Sequence, residues 1–74
     1  MQRKLVTVVA PDLHTQDGQP VLREVPWGAG KTVRDYLREV AIPSLVFRAT
    51  RSGVGGKRLA DTCKPGEILR VGRG

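Results

Sequence analysis

Three features of this 74-residue chain have residue types that could do chemistry: a single cysteine, a single histidine and a short glycine–lysine–threonine run. Cys63 stands next to Lys64, and a neighbouring cation lowers a thiol pKa and favours the reactive thiolate. It also follows Leu59-Ala60 and precedes a turn, where a cysteine more commonly serves as a small buried hydrophobe. His14 lies in a polar loop with no Ser or Cys placed to act as its nucleophile partner. Asp12 and Asp17, near it, read as turn residues rather than as metal ligands. One histidine and one cysteine cannot build a structural zinc site or an internal disulfide. The expectation is a chain with no catalytic residue, no cofactor and no metal.

Gly28-Ala29-Gly30-Lys31-Thr32 has the ending of a phosphate-binding loop. That loop needs a further glycine five positions before Gly30, and Val25 occupies that place. A nucleotide-hydrolase core also needs far more chain than is present here. The run therefore reads as a tight loop entering a helix, with Lys31 keeping at most a weak attraction for phosphate.

The remaining chemistry is charge. The formal net charge is +6. Residues 1–43 nearly balance, with six Lys/Arg against five Asp/Glu. Residues 44–74 do not: Arg48, Arg51, Lys57, Arg58, Lys64, Arg70 and Arg73 face only Asp61 and Glu67. Such an excess implies a partner of negative potential, nucleic acid or an acidic protein surface, or simply a solvated face. In strand geometry Arg48 faces solvent opposite Phe47 and Ala49. Arg51, Lys57 and Arg58 flank a glycine-rich turn, and Arg70 projects from the last strand. The expectation is one positive surface. Nucleic-acid binding by a sheet usually adds exposed aromatics, but Tyr36 and Phe47 read as core residues. Contacts to the phosphate backbone alone would be salt-sensitive and non-specific. Trp27, at a loop entering the helix, either closes the core or stands out as an interface anchor.

The elements that must position these residues follow from periodicity. Residues 3–9 are apolar and β-branched and are stopped by Ala10-Pro11-Asp12. A polar stretch centred on Asp17-Gly18 leads to Val21–Val25, giving an antiparallel hairpin. Val33, Tyr36, Leu37, Val40 and Ala41 form one helical stripe. Thr32 and Asp35 resemble a capping box, and Pro43 is expected to end the helix. Leu45–Thr50 reads as a third strand. Lys57–Thr62 reads as an edge strand or a helical turn. Lys64-Pro65-Gly66-Glu67 forms a β-turn, and Ile68–Val71 is a final strand that can lie parallel to the first at the centre of a mixed sheet. Open sheet edges offer a further contact surface.

This order makes one small α+β domain over residues 1–74, burying only roughly 60% of its unfolded surface. No apolar run approaches the roughly 18–20 residues of a membrane span. The first apolar segment is too short for a signal peptide. With no disulfide, a reducing compartment, the cytoplasm, is expected.

Pro26-Trp27-Gly28-Ala29-Gly30 before Thr32-Val33-Arg34-Asp35-Tyr36-Leu37, then Leu59-Ala60-Asp61, then Lys64-Pro65-Gly66-Glu67 before a last strand, resemble the β-grasp (ubiquitin-like) superfamily over essentially the whole chain. The resemblance implies a mixed sheet packed on one helix. Three branches show similar features: sulfur carriers of the molybdopterin and thiamine pathways, the RNA-associated TGS domain, and small domains of bacteriophage tail-tip or tail-assembly proteins. The carriers act through a flexible Gly-Gly tail, whereas this chain reads Val71-Gly72-Arg73-Gly74, with Arg73 in place of the penultimate glycine and about three residues beyond the strand. By elimination the resemblance to the tail proteins implies a non-enzymatic adaptor held against larger protein subunits, cytoplasmic before assembly and in the virion after it. A nucleic-acid-associated module and a sulfur carrier or modifier are the alternatives.

Overall fold

A computed structural model describes residues 4–72. Arg73, Gly74 and the first residue of the expected strand, Arg3, lie outside the described residues. Two strands open the chain, β1 (Leu5–His14) and β2 (Pro20–Pro26). Two helices follow, α1 (Val33–Val40) and α2 (Ser44–Ser52), and a short strand β3 (Ile68–Arg70) closes the sheet. The domain is α+β, with sheet order β2-β1-β3.

β1 and β2 pair antiparallel from Leu5 opposite Pro26 to Ala10 opposite Val21, and the register then slips before His14. The loop expected at Asp17-Gly18 closes the hairpin: Thr15 N–H donates to the Gln19 carbonyl (2.8 Å) and Gly18 N–H to that of Thr15 (2.9 Å). β3 runs parallel to β1, Val8 opposite Leu69. Only β1 is central. β3 lies at the edge, a correction to the expected central pair, because the segment that was to form another strand is helical.

α1 is capped as its sequence predicts. The Thr32 hydroxyl accepts from Asp35 N–H, and the Asp35 carboxylate accepts from Thr32 N–H at 2.9 Å. The helix ends earlier than Pro43 requires. Ala41 adopts a left-handed conformation (φ 62°) and its N–H bonds the Arg38 carbonyl. Ala41 is thus an exposed cap rather than a member of the core stripe, and an αL residue stops a helix as surely as a proline does.

Leu45–Thr50 lies within α2, not in a strand. Leu45 and Ala49 are buried one helical turn apart, while Phe47, which alternation had placed beside them, is 63% exposed. Over six residues a period of two and a period of 3.6 are hard to separate. Pro43, with φ −57° and ψ −32°, already has helical backbone angles and starts this helix. The Thr50 hydroxyl donates back to the Val46 carbonyl (2.9 Å), an arrangement available only on a helix.

Between α2 and β3 the chain is irregular but held. Val54 bridges antiparallel to both Lys57 and Val71. The intervening Gly55 and Gly56 have φ of 53° and 85°, a consecutive left-handed pair that glycine accepts at little cost. Lys57–Thr62 is neither strand nor helix: Arg58 N–H donates to the Asp61 carboxylate and Asp61 N–H to the Arg58 carbonyl. The core gathers Val6, Val8 and Ala10 of β1, Val21 and Val25 of β2, Val33, Tyr36 and Leu37 of α1, Leu45 and Ala49 of α2, and Leu69 of β3, together with Val54, Cys63 and Val71.

The helical register of α2 makes a contrast between neighbours. Leu45→Ala is expected to cost about 2–5 kcal/mol, whereas Phe47→Ala should stay within about 0.5 kcal/mol of the parent, both read by urea denaturation. Equal losses at the two positions would restore the strand.

Candidate interaction surfaces

The basic residues expected to form one surface are divided among three places. Arg48 is half-buried on α2, and Arg51 on the same helix lies over the exposed Phe47 ring (5.5 Å to its centre). Lys57 is locked inside the irregular segment, its ammonium 2.8 Å from Glu67 Oε2 and 2.9 Å from the Thr62 carbonyl. Arg58 is exposed in the following turn. Arg70 alternates with buried Leu69 and so projects from the sheet face away from the helices. The physical reason for the division is α2: residues read as a strand continuing the sheet instead sit in the helix layer. Arg73 lies outside the described residues.

Trp27 serves the interior. It packs partly buried on the core, its indole N–H donates to the Cys63 carbonyl (2.8 Å), and Lys4 lies 5.3 Å from its ring centre. Tyr36, buried as expected, uses its hydroxyl to accept from Gly28 N–H and donate to the Gly28 carbonyl, both at 3.1 Å. The glycine–lysine–threonine run is consumed in the same way. Lys31 pairs with Glu39 and lies over the Tyr36 ring, and a Cβ at Gly28 would come within 2.5 Å of the Lys31 side chain.

The N-terminus of α1 is closed to anions. Val33 N–H donates to the Asp61 carbonyl (2.8 Å), Arg34 N–H to the Leu59 carbonyl (3.1 Å) and Asp35 N–H to the Thr32 hydroxyl. The groups that would hold a phosphate are already bonded within the fold.

Cys63 is buried, and its thiol pKa is pushed up to about 11, chiefly by burial and then by the hydrogen bond to Glu67. The cation that acts to lower it is Lys57 rather than the adjacent Lys64, and loss of solvent outweighs that charge. Glu67 is held below the usual carboxylate range, first by its bond to Lys57, whose own pKa is raised by the same bond. His14 is exposed at the end of the hairpin beside Asp17. Among the described residues no group of three or more His, Cys, Asp or Glu gathers, and no helix is long and apolar enough to cross a membrane.

Two features escaped the sequence reading. The first is the sheet face away from the helices. Leu5, Thr7 and Val9 of β1 lie on it; across β2 they meet Pro26, Glu24 and Leu22, and Thr7 and Val9 meet Ile68 and Arg70 of β3. Leu22 is 55% and Ile68 65% exposed. The run Leu5-Val6-Thr7-Val8-Val9-Ala10 carried a signal for it: a strand with apolar residues on both alternations, Thr7 excepted, approaches the pattern of a strand covered on both faces, yet helices cover only one.

The second is the state of the outer edge of β2. Prolines bracket that strand at 20 and 26, and Arg23 stands on the same side of the strand as buried Val21 and Val25. Bracketing prolines and an inward-side charge oppose edge-to-edge pairing. The other edge is partly occupied, with Gly72 N–H donating to the Gly53 carbonyl and Val54 bridging Val71. The open face is therefore a better contact surface than either edge.

Compared with known protein families, with characterised proteins and with solved structures, the chain matches none.

The burial of Cys63 gives a pH signature. As pH rises past 9, the unfolded thiol ionises while the folded thiol holds its proton to about 11, so folding stability falls across that window. Denaturation midpoints measured from pH 8 to 11 are expected to decline more steeply for the parent than for Cys63→Ala. Identical slopes would show that the folded thiol has an ordinary pKa. The Lys57–Glu67 pair adds a decline common to both proteins, since stability from a raised lysine pKa is lost as pH rises through it.

Proposed function

We propose that the chain is a non-enzymatic adaptor whose open sheet face is covered by a larger protein partner. One observation carries this reading: the uncovered face of central strand β1 presents Leu5 and Val9 on either side of Thr7, with Leu22 and Ile68 exposed beside them on the neighbouring strands. An exposed patch rimmed by polar groups, here Glu24 and Arg70, is the usual mark of a protein interface. The face carries no aromatic residue on which a base could stack, which favours protein over RNA. The candidate nucleophile points the same way, since Cys63 is buried with its thiol held protonated at neutral pH.

The finer fold reading is a β-grasp. The hairpin, the following helix and a last strand parallel to the first support it, as does Val54 bridging Val71 on the far side of β3, where a further strand would lie. Here α2 takes the place of most of that strand. Within the superfamily the resemblance to phage tail-tip domains offers one kind of assembly for such an adaptor, with subunits of the tail as partners.

The test uses two exposed positions. Leu22→Asp and Ile68→Asp are expected to leave thermal stability nearly unchanged, because neither side chain is packed in the core. Each should abolish co-purification with the products of adjacent genes. A parent protein that stays monomeric and binds none of them, or variants that bind as the parent does, would overturn the reading.

A further inference from the structure

The outer side of α2 carries an aromatic ring that the fold does not use. Ser44, Phe47, Thr50 and Arg51 recur at helical spacing and all are exposed, while Leu45 and Ala49 face the core. Phe47 is 63% exposed even with the Arg51 guanidinium 5.5 Å from its ring centre. Arg51 has a structural reason to be there, since a cation in the last turn suits the negative end of a helix. Phe47 has none: it is not among the side chains packed on the core. An exposed aromatic was the component missing from the basic half of the chain as long as Phe47 read as a strand residue facing inward. The helical register of α2 supplies it.

The charge around the ring is positive. α2 contains Arg48 and Arg51 and no acid. From outside the helix, Asp12 approaches its C-terminal end, lying against Gly72, whose N–H bonds the Gly53 carbonyl. On α1, Arg38 and Asp35 offset one another. Among the described residues the ion pairs are Lys31–Glu39 and Lys57–Glu67, so neither arginine of α2 is paired with a carboxylate.

We infer that the outer face of α2 binds single-stranded nucleic acid, with a base stacked on Phe47 and the flanking phosphates on Arg51 and the half-buried Arg48. Any unpaired base offers a flat face to an aromatic ring, and guanidinium groups meet phosphate through paired N–H donors, so binding of this kind tolerates many sequences. A duplex keeps its bases stacked on each other and cannot use the ring. A protein partner is less suited to this face, because an interface anchor sits within a wider apolar patch. Phe47 instead stands among Ser44, Thr50 and Arg51, with Pro43 one turn before it. The surface is separate from the open sheet face, and either can fail without the other.

The probes are oligothymidylate and oligouridylate of about twelve nucleotides, followed by fluorescence anisotropy with the full chain at low salt. At least one is expected to bind, and the tighter of the two shows whether DNA or RNA is the better ligand. Phe47→Leu keeps an apolar side chain but removes the ring; it should weaken binding by about fivefold or more while melting at the parent's temperature. Phe47→Tyr should restore the affinity. Arg51→Ala should also lower the slope of log affinity against log salt by about 0.7, a change that Phe47→Leu does not produce. The inference is overturned if neither strand binds, if Phe47→Leu binds as the parent does, or if the corresponding duplex binds equally well. Displacement of the strand by an equal concentration of polyglutamate would also overturn it, in favour of an acidic protein partner.

Discussion

The first turn of α1 presents N–H groups that a helix cannot bond for itself, and the way they are satisfied fixes the course of the C-terminal half. Thr32 takes one, and the carbonyls of Asp61 and Leu59 take two more. A segment with no regular structure is thereby tied to the strongest helix in the molecule. From that anchor the neighbouring contacts follow. Cys63 is brought into the core with its carbonyl on Trp27, Lys57 reaches Glu67 and Thr62, and the turn at Pro65-Gly66 enters β3 alongside β1. The same bonds that hold the fold remove the helix terminus as an anion site. Structure and the loss of one candidate function have a single cause.

A second consequence concerns charge. Four of the seven acids are engaged inside the fold: Asp35 at the α1 cap, Glu39 with Lys31, Asp61 in its turn and Glu67 with Lys57. Among the described residues two cations, Lys31 and Lys57, are engaged in ion pairs in return. Hydrogen-bonded carboxylates keep their charge and each ion pair removes one charge of either sign, so the net charge stays +6. Sequence counting locates the excess in the second half of the chain, and folding distributes it over α2, the irregular segment and the open sheet face. Composition records how many charges there are; the fold decides where each one lies.

The hairpin, the capped helix and the last strand were legible because each rests on local chemistry. Alternating β-branched residues, an Asp-Gly turn, a Thr–Asp capping pair and a Pro-Gly turn need no distant partner to specify them. Residues 44–52 were not legible, because Leu45, Phe47 and Ala49 satisfy a strand alternation while Leu45 and Ala49 also satisfy a helix turn. The decision between them is made by what buries Leu45, which is tertiary. The candidate surfaces were less legible still. Arg48, Arg51 and Arg70 were identified as available charges, but their grouping depended on the missing strand. Leu22 and Ile68 are individually unremarkable exposed residues, and become a patch only when the register sets them beside Leu5, Thr7 and Val9.

An uncovered, largely apolar sheet face is a hazard for a chain this small, and the remaining features of the surface read as its containment. Pro20, Pro26 and Arg23 discourage another strand from pairing with β2. The surplus of arginine and lysine sets copies of the chain against one another. Those features oppose self-association without covering Leu22 or Ile68. A fold selected only for stability would replace Leu22 and Ile68 with polar residues at little cost, since exposed apolar groups contribute little to its own core. On the adaptor reading proposed above, repulsion between identical copies combined with retained apolar contact favours association with a different molecule over self-association.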